Sequence, residues 1–238
     1  METKNILVAC EESQAITNAF RAIGYNAFSA DLQECSGGHP EYHINGDCLP
    51  LLNGNCEFTT QDGNTHKIEG KWDLIIAHPP CTYLTVTGNR WFVATGYTYL
   101  YKKDPAAAQA KADERKQLRE EGAEFFMKFT TCDCDHVAIE NPVGCMSTRY
   151  RPADQLIQPY QFGDPAEKLT CLWLKGLPKL EHTNVVEPPP RVKFKSGKTM
   201  PAWYSAAASL SKEDRSRVRS KTFMGIANAI VSQWKDKI

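Results

Sequence analysis

The sequence contains no long apolar run. Its most hydrophobic stretches, such as Ile6 to Cys10 and Leu74 to Ala77, fall far short of the roughly 20 residues that cross a bilayer. No basic leader followed by an apolar stretch opens the chain, so a cytoplasmic protein with no membrane partner is expected. Neither sign of charge is in excess: 28 Lys and Arg balance 28 Asp and Glu, and net charge therefore points to no class of partner. Internal repeats and domain-sized linkers are missing too. A chain of 238 residues of this composition is long enough for one domain with a real core.

Cysteine is plentiful instead. Nine in a chain of this length, without an export signal, read as mostly reduced thiols with at least one reactive, not as a disulfide framework. Cys132, Cys134 and His136 fit no standard zinc spacing and lack a fourth ligand, so no metal is expected. Charge is unevenly placed: residues 1–81 hold eleven acidic and four basic side chains, whereas residues 191–221 hold nine basic and two acidic. Such a local basic patch suits phosphate, although a solvated basic face has the same composition.

Periodicity gives the architecture. Asn5 to Cys10 suits a buried strand, and Ala15, Ile16, Ala19, Phe20 and Ile23 recur at helical spacing up to Gly24. Asn26 to Ala30 is a second strand ending at Asp31. This strand–helix–strand unit begins a mostly parallel, doubly wound α/β sheet. Tyr42 to Asn45 and Trp72 to Ala77 continue it, with residues 53–70 as an excursion or hairpin. A long loop over residues 82–104 precedes a helix from Pro105 to about Phe129. His136 to Glu140 is a further strand, Gln155 to Phe162 and Leu169 to Leu174 form a C-terminal hairpin, and Lys212 to Lys237 is a closing helix with Val218, Phe223, Ile226 and Ile230 inward. The expected division is a core over 1–176, a short basic and proline-rich segment over 177–210, and a helix over 211–238 that returns to the core.

Ligands of such sheets sit beyond the carboxyl ends of the strands. Four places there stand out: the turn after Cys10, Asp31 with Asp47, Pro79-Pro80-Cys81, and Glu140-Asn141-Pro142. A cysteine held by two prolines at one strand end, with a carboxylate at another, suits nucleophilic attack coupled to proton transfer.

These motifs resemble, in order, those of DNA cytosine-5 methyltransferases. Pro79-Pro80-Cys81 is similar to their catalytic strand-end motif, Val137-Ala-Ile-Glu140-Asn141 to their Glu-Asn motif, and Gly46-Asp47 to their adenine-contacting pair. Phe223-Met-Gly-Ile-Ala-Asn228-Ala229 is similar to the helix that completes their cofactor site. The runs Ala9 to Gln14, His78 to Leu84 and Gln158 to Asp164 resemble phage and prophage proteins of this type. The resemblance implies a Rossmann-like methyltransferase fold, DNA as partner with low or short sequence specificity, and S-adenosylmethionine as cofactor. It implies thiolate addition by Cys81 to cytosine carbon 6 and Glu140 at ring nitrogen 3, with Pro80, Asn141 and Lys168 supporting them. Cys10, Ser13, Asp31, Asp47, Pro79 and Asn228 would line the cofactor. Arg90, Trp91, Lys193, Lys195, Arg217 and Arg219 would meet DNA, the first two on a lid over residues 82–101.

The sequence departs from that pattern in three places. The turn Cys10-Glu-Glu-Ser-Gln14 has no glycine where the family's backbone approaches its cofactor, and Ser13 reads equally as a helix N-cap. Lys168 stands for the first arginine of the family's Gln-x-Arg-x-Arg run and Thr170 for the second, giving a point charge in place of a guanidinium fork. Only about fifty residues separate Trp173 from Phe223, a reduced recognition region whose lysines and arginines position phosphate more than they read bases. The loop with Cys35, His39 and His43 lies on the cofactor side, as a ligand wall or as a plain turn. Two other readings stay open: a pyrimidine-modifying enzyme with another donor or a nucleotide substrate, and a catalytically silent nucleic-acid-binding relative.

Overall fold

A computed structural model describes residues 3–238, apart from the side chains of residues 212, 213, 216 and 217. In chain order the elements are β1 (Asn5–Ala9), α1 (Ala15–Ala22), β2 (Asn26–Asp31), β3 (His43–Asn45), β4 (Cys56–Thr59), β5 (Thr65–Ile68) and β6 (Leu74–Ala77). Then come α2 (Thr98–Lys103), α3 (Pro105–Thr131), β7 (Val137–Pro142), α4 (Met146–Arg149), β8 (Gln155–Ile157) and β9 (Thr170–Lys175). A hairpin β10 (Arg191–Lys193) and β11 (Thr199–Pro201) precedes α5 (Ala202–Ala206), α6 (Lys212–Ser220) and α7 (Met224–Trp234).

Seven strands form one mixed sheet in the order β3-β2-β1-β6-β7-β9-β8. The five from β3 to β7 are parallel, whereas β9 runs antiparallel to both β7 and β8. Successive residues of a strand face opposite ways, and here both sets are apolar, as a sheet covered on two faces requires. Leu7, Phe28, Ile75, Val137 and Ile139 pack with Phe126 and Phe129 of α3 and with Phe58 and Ile68 of the β4–β5 hairpin. Ile6, Val8, Leu74, Ile76 and Ala138 pack with Ile16 and Phe20 of α1 and with Ile226, Ile230 and Trp234 of α7. The large rings keep their polar ends bonded: Trp72 Nε1 donates to the Leu51 carbonyl, Trp173 to Arg151 and Trp234 to Pro178. Burial therefore strands none of these three indole N–H groups, whereas that of Trp203 is buried without a partner.

Several sequence-based boundaries move. The expected single helix over 212–237 breaks into α6 and α7, and Val218, expected inward, is 45% exposed. The expected strand over 155–162 stops at Ile157, because Pro159 opens a 3-10 turn at Pro159–Gln161. The expected loop over 82–104 is three short helical pieces docked on α3. Arg119 donates to the Tyr83 carbonyl and the Asn89 side chain, Arg115 to the Thr82 carbonyl, and both guanidinium groups lie over the Phe92 ring. The segment expected as a lid is thus held against α3. Just beyond residue 176 the chain is held to the core, where Leu180 is buried and Glu181 and Gln233 exchange two hydrogen bonds, and residues 191–199 are then exposed.

Candidate functional site

The order of the strands reverses between β1 and β6, so the crevice at the carboxyl ends of these two strands is where a sheet of this kind places ligands. Three segments border it: Cys10 to Gln14 after β1, His78 to Cys81 after β6, and Glu140 to Pro142 at the end of β7. The backbone fixes their relation. His78 N donates to the Ala9 carbonyl, which ties β6 to β1. Asn141, buried, donates from Nδ2 to the Pro79 carbonyl at 2.7 Å, which ties β7 to the cysteine turn. The Cys81 carbonyl accepts from Leu84 and Thr85, closing the turn on its far side. Cys81 itself is half-buried and its neighbour Pro80 exposed, while Pro79 is buried.

His78, which the sequence reading passed over, is the centre of the site. Its Nδ1 lies 3.0 Å from Glu140 Oε2, with the two side chains 14% and 20% exposed. Its Nε2 is buried without a partner. Burial acts to raise the Glu140 carboxyl, but the His78 hydrogen bond, the charges of Lys168 and His78, and Thr170 outweigh it and hold it below the ordinary carboxylate value. Burial raises the Cys81 thiol; the nearby Glu140 charge adds to this and Lys168 opposes it, leaving the thiol above its usual range. Lys168 reaches this place because β9 runs antiparallel, so the residues before β9 lie beside the end of β7. Its Nζ donates to the carbonyls of Ser220 and Lys221 at the end of α6. An apolar cavity lined by Ile16, Ile76, Ala138, Leu172, Ile226 and Trp234 opens at this cluster of His78, Glu140, Lys168 and Thr170.

The residues expected to line a cofactor divide into two groups. Cys10 gathers with Asp31 and Asp47: its thiol is pushed well up by a hydrogen bond with Cys48, then by burial and the charges of both aspartates. Asp31 Oδ1 accepts from Gln33 N and Asp47 Oδ1 from Leu49 N. Ser13 is not the N-cap of α1; Gln14 holds that position in left-handed backbone at φ 54°. The cap bonds come from Glu11, whose buried carboxylate accepts from Ile16 N (2.7 Å), Thr17 N (3.2 Å) and Thr17 Oγ1 (2.7 Å). Burial raises the Glu11 carboxyl, with His78 and these bonds opposing it. Asn228 lies on the exposed side of α7, about 200° around the helix from Ile226, which faces the core. It does not line the apolar cavity.

S-adenosylmethionine, implied by the resemblance, needs a bare backbone cradle at the β1–α1 turn. Cys10 and Gln14 take positive φ (60° and 54°) while carrying side chains, and the Cβ that Gly37 lacks would fall 2.5 Å from Gln14 Cβ and 2.6 Å from the Ser13 carbonyl. The turn is filled from within, and these residues do not form that cradle. Among the described residues, no three His, Cys, Asp or Glu side chains converge in a way that would hold a metal ion. Cys134 donates to the carbonyls of Trp72 and His136.

The residues expected at DNA are also sorted by the structure. Trp91 lines an open groove with Thr82, Thr85, Thr87, Gly88, Tyr97 and Arg115, beginning at the residue after Cys81. Arg90 lies over the Trp91 ring. Lys193 and Lys195 are exposed on the β10–β11 hairpin, whose Arg191 pairs with Glu167, next to Lys168. Arg219 is not free for phosphate: its guanidinium stacks 3.7 Å from the centre of the Tyr204 ring and donates to the Tyr204 carbonyl. The Arg217 side chain lies outside the described residues.

No family model matches the chain, and no curated protein matches it. Among solved structures it is similar to a prophage-encoded E. coli protein assigned as a DNA modification methyltransferase, at 14% identity and a TM-score of 0.37, over 72% of this chain and 46% of that one. It is also similar to the Entamoeba histolytica methyltransferase EhMeth, at 10% identity and a TM-score of 0.38, over 78% and 58%. The chain spans about half the length of these two proteins. No helix is long and apolar enough to cross a membrane among the described residues.

Proposed function

We propose that this chain is an enzyme of the DNA cytosine-5 methyltransferase type, in which Cys81 adds to carbon 6 of a cytosine and Glu140 serves ring nitrogen 3. The observation that carries the reading is the joining of the two strand ends: Asn141 bonds the Pro79 carbonyl, and the Glu140 charge acts on the Cys81 thiol. The doubly wound order of the first five strands is consistent with a Rossmann-like methyltransferase fold.

The chemistry follows from the ring. Carbon 5 of cytosine is a weak nucleophile until a thiolate adds at carbon 6. In that step the sulfur–carbon bond forms, the carbon 5–carbon 6 π pair moves toward carbon 4 and ring nitrogen 3, the nitrogen takes a proton through Glu140, and the thiol has released one. A carboxyl group that carries a proton and donates it where negative charge develops stabilises this step in the way an oxyanion hole does. His78 orients Glu140, and Lys168 supplies positive charge to both reacting groups. The target base must leave its stack to reach Cys81; the groove holding Trp91 and Tyr97 lies beside the path it would take. S-adenosylmethionine is the donor the resemblance implies. The β1–α1 turn lacks the glycine cradle that this donor needs.

The thiol half can be tested without any donor. In D2O the enamine takes a deuteron at carbon 5, and elimination of Cys81 then returns a labelled cytosine. Mass spectrometry of single- and double-stranded oligonucleotides incubated with the protein is expected to show carbon-5 deuteration; a spectrum identical to the enzyme-free control, on both substrates, sinks the proposal. The thiolate is the nucleophile, while Glu140 must carry the proton. Because Cys81 sits above the usual thiol range and Glu140 below the usual carboxylate range, the exchange rate is expected to be nearly flat between the two values and to fall on either side of them. Lys168→Met removes the charge that favours the thiolate, so its profile is expected to lie to higher pH; an unmoved profile would detach Lys168 from the site.

The basic hairpin gives a second expectation. Lys193 and Lys195 are exposed and suited to phosphate. Changing both to Ala is expected to weaken binding about equally across sequences and to reduce the slope of log K against log salt by roughly 2. Fluorescence anisotropy over a salt series measures it.

A further inference from the structure

We infer that Glu11 is a built-in occupant of the anion site at the head of α1, so that no ligand carboxylate is held there. The inference concerns the donor side of the proposed activity and stands or falls independently of Cys81.

The first free N–H groups of a helix, reinforced by its dipole, are the natural seat of an anionic ligand group at the end of a first strand. In this chain those groups are in use. Ile16 N, Thr17 N and Thr17 Oγ1 all donate to the Glu11 carboxylate, which is only 3% exposed. A methionyl carboxylate brought to the same N–H groups would have to displace a buried like charge held by three bonds.

The covering loop gives an independent observation. The Gln14 carboxamide bridges to His39, donating to its carbonyl at 2.8 Å and accepting from its N–H at 3.1 Å. Ser36 N donates to the Glu12 carbonyl at 2.9 Å. Gly37 passes so close over Gln14 and Ser13 that no side chain fits. The loop is thus fastened down over the turn by the residues that surround the carboxylate. A fully bonded internal anion beneath a latched loop makes a closed unit, and the crevice beside it suits a ligand whose near end bears no negative charge, such as a nucleoside without an amino-acid tail.

The test uses the intact wild-type protein and S-adenosylhomocysteine, followed by amide NMR at about 1 mM ligand, where sites of millimolar affinity or better are at least half filled. The amide resonances of Ile16 and Thr17 are expected to stay in place, whether the compound binds elsewhere or not at all. Movement of both resonances with saturation would overturn the inference, because it would put the ligand at these N–H groups. Deuteration at cytosine carbon 5, measured on the same preparation, reports the thiol chemistry separately and requires no donor. Failure of one reading is therefore visible without the other.

Discussion

Substituting Cys81 by Ser is expected to abolish carbon-5 deuteration of cytosine, a loss on the order of 10^4-fold or more, since an alcohol is hardly ionised at neutral pH. Glu140→Gln keeps the size of the side chain and a hydrogen-bonding group but cannot pass a proton to ring nitrogen 3. Its expected loss is about 10^2- to 10^3-fold, the usual effect of removing one donor to developing charge. The two groups act on one transition state, so the double variant is expected to lose little beyond Cys81→Ser alone. Urea midpoints separate chemistry from folding: Cys81 is half-buried, and its Ser variant should stay within about 1 kcal/mol of wild type. A Cys81→Ser protein that still labels cytosine would remove the nucleophile from the scheme.

Glu11→Ala is expected to be the most damaging substitution for stability outside the hydrophobic core, at about 3 kcal/mol. It removes a cap and leaves Ile16 N, Thr17 N and Thr17 Oγ1 as buried donors without acceptors. Urea unfolding followed by far-ultraviolet circular dichroism reads the change; a loss below about 0.5 kcal/mol would mean that water serves those donors equally well. The pH dependence carries a distinct sign. Burial raises the folded-state value of Glu11 above its ordinary 4.5, so the native state binds the proton more tightly than the unfolded chain. This part of the stability is present below pH 4.5 and is lost as pH rises through the folded value. Glu140 acts oppositely: its folded value is depressed, so its contribution is present at neutral pH and lost as pH falls through that value. Subtracting the curve of Glu11→Gln from that of wild type isolates the first trend.

The parallel half of the sheet was legible because Ile6 to Ala9, Leu74 to Ala77 and Val137 to Ile139 are continuous apolar runs, as strands covered on both faces must be. The cysteine turn and the Glu-Asn pair followed from the same runs, since each ends one. Other features depend on contacts that spacing does not encode. Glu11 and Glu12 are neighbours of identical chemistry, and only the fold turns one of them inward beneath α1. A faint signal existed: an acid five residues before Ile16 lies just ahead of a helix start, where negative charge is favoured. His78 was in plain view before Pro79, but its partner is 62 residues away across a strand pair. Asn228 and Arg219 were assigned by motif or by charge, whereas helix phase and a tyrosine ring decide where they point. Phe223, Ile226 and Ile230 did face inward as their spacing suggested; Val218 did not, because the helix expected to carry all four is broken between Ser220 and Met224.

The bond from Asn141 to the Pro79 carbonyl has a kinetic corollary. It joins the nucleophile's turn and the acid's strand at one point, with the Asn141 side chain wholly inside the protein. Neither half can swing aside while the other remains, so the pair will retract or advance together. Substrate entry must then be accommodated elsewhere, in the segment that Arg115 and Arg119 hold against α3. Loosening those two arginines should alter how fast nucleic acid arrives and departs, without changing how the thiol and the carboxyl confront the ring.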